Sequence, residues 1–117
     1  GMVEIPALQL RLPVVSRWSY PNLRRAPCRY SGSVYQNNLV LAGHNYPSHF
    51  GRLRALHIGD AVLFSDADGR TFSYAVSSLA TISPTETETL PASGLTLFTC
   101  TPGGQHRLIV CCRPADS

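Results

Sequence analysis

Three residues whose types could do chemistry stand at the ends of apolar runs in this 117-residue chain. Cys100 closes the run 95–99 at the lip of a Pro102-Gly103-Gly104 turn, Arg107 opens the run 108–110, and His44 follows the run 38–43. A thiol that only filled space would sit better inside an apolar run than at its end. A thiolate, not a thiol, is the nucleophile of cysteine catalysis, and a free cysteine with a pKa of about 8.5 needs help to form one. An imidazole can take or return a proton, and a guanidinium can steady a developing oxyanion. Cys100, His44 and Arg107 supply one of each, in an order, His before Cys, that differs from cysteine proteases placing Cys first.

The elements that must position them read mostly as strands. Residues 3–12 read as an extended segment interrupted by Pro6, suited to an edge or first strand, and continued through Val15. A short helix is expected over 23–28, with Pro21 early and Ser19 or Asn22 as cap, followed by a turn at Ser31-Gly32-Ser33. Residues 38–43 read as a buried strand. Phe50, Leu53 and Leu56 fall at helical spacing, a turn and a half of amphipathic helix. Asp68-Gly69 marks a hairpin between a strand at 61–64 and one at 71–82, because glycine adopts positive φ cheaply. A polar loop fills 83–94. The last two strands, 95–99 and 107–112, flank the turn that carries the chemistry. The sum is a mostly-β domain of seven or eight strands with short helices, closed or nearly closed as a barrel, and the rim of a barrel gathers strand ends from distant parts of the chain.

Composition narrows the function classes. The formal charge of +3 comes from ten arginines and no lysine, and only Arg24-Arg25 are adjacent. Without a basic stripe, nucleic-acid binding is not expected. No C-x-x-C pair argues for zinc, and Cys28, Cys111 and Cys112 read as small core or strand residues. His49, His57 and His106 read as surface. Glu86 and Glu88 are few for a hard cation that takes six or more oxygens, so an exposed loop is the better reading there and no cofactor or metal site is expected, with calcium left open. No apolar run approaches a membrane span. Gly1-Met2 reads as a leftover glycine before a start, with any anchor or signal expected outside this chain.

The motif Thr96-Leu97-Phe98-Thr99-Cys100 resembles the Thr-Leu-x-Thr-Cys motif of sortases at every specified position. The run ending Ala42-Gly43-His44 resembles the sortase histidine segment, Phe50-Gly51-Arg52-Leu53 with Ile58-Gly59-Asp60 the stretch after it, and Arg107 before Leu108-Ile109-Val110 the arginine-bearing last strand. Ile5-Pro6 and Leu12-Pro13-Val14-Val15 resemble the opening strands, so the resemblance runs over nearly the whole chain as one catalytic domain, 1–117.

That resemblance implies an eight-stranded barrel and an extracellular cysteine transpeptidase on the cell surface of Gram-positive bacteria. It implies cleavage of a Leu-Pro-x-Thr-Gly-type sorting signal of a surface protein or pilin through a thioester, resolved by an amine of a cell-wall precursor or a pilin. By motif match Cys100 is the expected nucleophile, His44 the acid/base and Arg107 the oxyanion or substrate-backbone donor, with Thr99 a supporting substrate contact. Membrane contact is expected only through an anchor outside the chain. The chain is short for the family, and its 83–94 loop leaves little room for a substrate-clamping helix. The rival reading is therefore a non-catalytic module that keeps the fold and binds an extended peptide. One register is expected to serve catalysis: Cys100 opposite Arg107, Phe98 opposite Ile109, and 101–106 as the loop.

Overall fold

The computed structural model describes residues 1–15, 21, 26–43, 50, 52–82, 94–100 and 107–115, with the backbone alone for Ile82, Cys100 and Arg107. Eight strands form one sheet: β1 Met2–Ile5, β2 Leu10–Pro13, β3 Cys28–Ser31, β4 Asn38–Ala42, β5 Ala61–Ser65, β6 Thr71–Ile82, β7 Gly94–Cys100 and β8 Arg107–Pro114. Their spatial order is β2-β1-β5-β6-β8-β7-β4-β3. Neighbours are antiparallel except β4 and β7, which run parallel. The sheet curls until its two edges meet. Val15 bridges to Cys28, its N–H donating to Pro27 O at 2.9 Å and its carbonyl accepting from Arg29 N at 2.8 Å. An edge-to-edge bridge of this kind is how a curled sheet hides its open ends.

The first segment corrects the sequence reading. Residues 3–12 are not one interrupted strand but two antiparallel strands, β1 and β2, in register from Met2↔Pro13 to Ile5↔Leu10. Pro6 begins a 3₁₀ turn over Pro6–Leu8, and Gln9 takes a left-handed φ of 55° to reverse the chain. Proline suits the first position of a helical turn, where its missing N–H costs nothing, so here it reverses the chain instead of only interrupting it. A second correction concerns Cys28, expected to end a helix: it opens strand β3 instead, paired with Ala42. Positions 23–25 of that expected helix, and both cap candidates, Ser19 and Asn22, lie outside the described residues.

Alternation sorts the side chains into two apolar layers. Leu39 and Leu41 of β4, Leu95 and Leu97 of β7, and Leu108 and Val110 of β8 face the barrel interior. Phe50 and Leu53 are fully buried against the same core and Leu56 nearly so, as their spacing predicts, although the turn that carries them is a 3₁₀ turn at Leu53–Ala55 and not a longer helix. The opposite faces of the same three strands carry a second, smaller cluster of Val40, Ala42, Phe98 and Ile109. Strands buried on both faces read as continuous apolar runs, which is why 39–42 and 108–110 lack polar alternation.

Candidate active site

Strand β7 delivers Cys100 as its last residue and β8 delivers Arg107 as its first. The ladder between them runs Leu95↔Cys112, Leu97↔Val110, Phe98↔Ile109, Thr99↔Leu108 and Cys100↔Arg107. The expected register is therefore present, without a slip, and only the backbone of the final pair is described. Directly opposed residues of an antiparallel pair stand on one face of the sheet. Counting back by twos from that pair gives Phe98 and Ile109, members of the second cluster, so the two positions lie on the alternate row outside the barrel interior. Positions 101–106, the connecting loop, lie outside the described residues.

His44 also lies outside them, but the residue before it is described. Strand β4 runs alongside β7 with Ala42 beside Phe98, and Gly43 N–H donates to Phe98 O at 3.0 Å. The backbone that leads to His44 is thus tied to β7 two residues before Cys100. Tyr30 of β3 packs edge-on against the Phe98 ring, centroids 5.1 Å apart, which adds the third strand to the same face.

Thr99 stands on the other row. It is only 3% exposed, opposite Leu108, and its hydroxyl has no hydrogen-bond partner among the described residues. Two of the other thiols are ill suited to nucleophilic work. Cys28 is buried and directs its Sγ–H to Ala26 O at 3.5 Å. Burial pushes the Cys112 thiol up to about 12, with the neighbouring Cys111 adding to the rise, so at neutral pH it carries no thiolate. His57 is exposed as expected, and among the described residues its ring pairs with Asp60 of its own turn, at 3.9 Å. His49, His106, Glu86 and Glu88 lie outside the described residues. Among those described, no group of three or more His, Cys, Asp or Glu could hold a metal ion. A cavity of about 390 Å³ opens between Val34, Phe72, Tyr74 and Pro114, at the end of β8 far from Arg107. The candidate site is placed by strand register, not by that cavity.

Two features of the site escaped the sequence. One is the second apolar cluster, signalled only by the unbroken apolar runs in β4 and β8. The other is the contact between Gly43 and Phe50, seven positions apart, for which sequence offers no signal.

Comparison with known proteins agrees with this arrangement. A family model described as a sortase domain matches residues 3–115. Among solved structures, sortase C-1 of Actinomyces oris is 27% identical with a TM-score of 0.87, covering 99% of this chain and 71% of that one. Sortase C1 of Streptococcus suis is 27% identical at a TM-score of 0.84, covering 100% of this chain and 73% of that one. Sortase C of Streptococcus pneumoniae is 27% identical at 0.88, covering 100% of this chain and 66% of that one. Among curated proteins none matches the chain. With a family model matching residues 3–115 of its 117, this chain belongs to the sortase family.

Proposed function

We propose that the chain is a cysteine transpeptidase that cleaves a Leu-Pro-x-Thr-Gly-type sorting signal and passes the acyl half to an amine. The observation that carries this reading is the pairing of Cys100 with Arg107 at the end of the β7–β8 ladder. The Cys100 thiolate attacks the threonine carbonyl carbon. The bond to the glycine nitrogen breaks, and the departing amine takes a proton from the His44 imidazolium while the acyl group stays on sulfur as a thioester. An acceptor amine then attacks the thioester carbonyl, loses its proton to His44, and the carbon–sulfur bond breaks to return the thiolate. Arg107 donates hydrogen bonds to the oxyanion of each step. Thr99, buried opposite Leu108 on the row that faces the barrel interior, is assigned no substrate contact and backs the strand that ends in the nucleophile. The sequence of steps uses no metal or other cofactor.

The fold neighbours support a narrower version. All those compared above are C-type sortases, and the Streptococcus pneumoniae enzyme is described in terms of pilin substrate specificity. By that likeness the donor is a pilin or other surface protein, the acceptor an amine of a pilin or of cell-wall precursor, and the place of action the outer face of the cell membrane. No helix among the described residues is long and apolar enough to cross a membrane.

A peptidyl electrophile with a Leu-Pro-x-Thr body tests the reading by intact mass. The expected result is one covalent adduct on the wild type and none on Cys100→Ala, with transfer of a matching peptide to a supplied amine by the wild type alone. An adduct on Cys100→Ala removes the nucleophile assignment. A wild type that binds the peptide but neither reacts nor transfers is the non-catalytic module.

A further inference from the structure

Gly43 has no positive φ to account for it, yet no larger residue fits there. A Cβ at position 43 would overlap Cγ and Cδ2 of the Phe50 ring and lie 2.8 Å from Cε2. The ring is fully buried, and its residue accepts the backbone N–H of Leu53 at 3.2 Å, so it cannot swing away without opening the core. On its other side Gly43 is held to β7 by its N–H bond to Phe98 O. The residue before His44 is therefore clamped between a core aromatic and the strand that ends in Cys100, and the same clamp joins the two residues that flank positions 44–49.

From this we infer that Gly43 and Phe50 are a positioning pair for the reaction: the ring, seated against bare glycine backbone, sets where the chain leaves β4 and hence where the His44 imidazole stands relative to Cys100. The inference rests on the reading of His44 as the acid/base. Neither residue touches substrate; both act through His44. A displacement of about 1 Å at a catalytic group can cost about a hundredfold in rate, which is the scale of effect a forced Cβ would produce.

The test is a size-swap cycle with two readouts, the transfer kinetics and the titration of the His44 ring followed by NMR. Gly43→Ala is expected to lower kcat about a hundredfold with little change in KM for the sorting peptide, and to shift the His44 ring titration. Phe50→Leu and Phe50→Ala, which both remove the flat ring, are each expected to lower kcat and to shift the titration as well. In Gly43→Ala with Phe50→Ala the Cγ and ring carbons that the new methyl would overlap are gone, and both readouts are expected to move back toward the wild type. Losses that simply multiply in the double variant, or single variants with wild-type kcat and titration, overturn the inference. Should Gly43→Ala fail to fold, Phe50→Leu alone decides by the same two readouts. Should the wild type transfer no peptide to any amine, the transpeptidase reading falls, while the NMR titration still reports whether this pair sets the His44 ring.

Discussion

At the scale of single residues, burial decides what a thiol can do. Cys112 faces the interior core, and its raised thiol pKa follows from desolvation first and from Cys111 second. A group whose folded pKa lies above its unfolded value contributes stability that is complete below the unfolded value and is lost as pH rises through the folded one. For Cys112 that window runs from about pH 9 to about pH 12, and within it one proton accounts for about 1.4 kcal/mol per pH unit. Denaturant midpoints measured across this window should fall less steeply for Cys112→Val than for the wild type. Equal slopes in the two proteins would mean that the Cys112 thiol is not protonated in the folded state as described. Cys100, in contrast, ends its strand, on the row that leads out of the barrel.

At the scale of elements, turns decide register, and register decides which faces meet. The β5–β6 hairpin shows how the turn chemistry works. Asp66 Oδ1 accepts N–H from Asp68 and Arg70, each at 2.9 Å, Gly69 N–H returns to Asp66 O at 3.1 Å, and Gly69 takes φ 85°. Tyr35 donates its hydroxyl to the same carboxylate, and that bond, ahead of the backbone donors, holds the Asp66 carboxyl below its usual range. Nothing lies within 4 Å of a Cβ built on Gly69, so the cost of a side chain there is conformational alone. Gly69→Ala should destabilise by about 1 kcal/mol, the penalty for an L-residue in left-handed backbone, read from the denaturant midpoint at an unchanged slope. A neutral result would show that the turn relaxes to another type. Gly43 is the opposite case, where space and not φ demands glycine.

At the scale of the whole molecule, the edges of the sheet meet, among the described residues, at Val15 and Cys28. Val15→Pro deletes the N–H that donates to Pro27 O and leaves that carbonyl, on a buried residue, without its donor. The expected cost is about 1–3 kcal/mol, with faster hydrogen exchange at Arg29 N–H, which depends on Val15 O, and little change at Val110 in the barrel core. Unchanged protection at Arg29 would mean that the edges meet by another route. Closure fixes β3 beside β4, where Tyr30 packs against Phe98 on the face to which the Cys100–Arg107 row belongs.

Much of this architecture is legible in sequence because it depends on local, periodic signals. The runs at 38–42, 61–65 and 71–82, the Asp68-Gly69 hairpin, and the burial of Phe50, Leu53 and Leu56 follow from side-chain alternation and turn chemistry that act over a few residues. The cysteine motif and the Cys100↔Arg107 register also follow, since a short turn leaves two opposing strands few ways to pair. The reversal at Pro6, where proline fits either an interrupted strand or a helical turn, was settled by the pairing of Val3 with Leu12, an energy that arises only across two strands. The strand at Cys28 likewise takes its state from Ala42 and Val15, not from its own neighbours in sequence. The parallel placement of β4 beside β7, and the seating of Phe50 on Gly43, join residues far apart in the chain through packing that no local pattern encodes. Sequence by itself determined which strands bear Cys100 and Arg107, two of the residues to which the motif assigns chemistry. Tertiary structure alone decided what surrounds them, because close packing is a property of surfaces that meet only after the chain has closed.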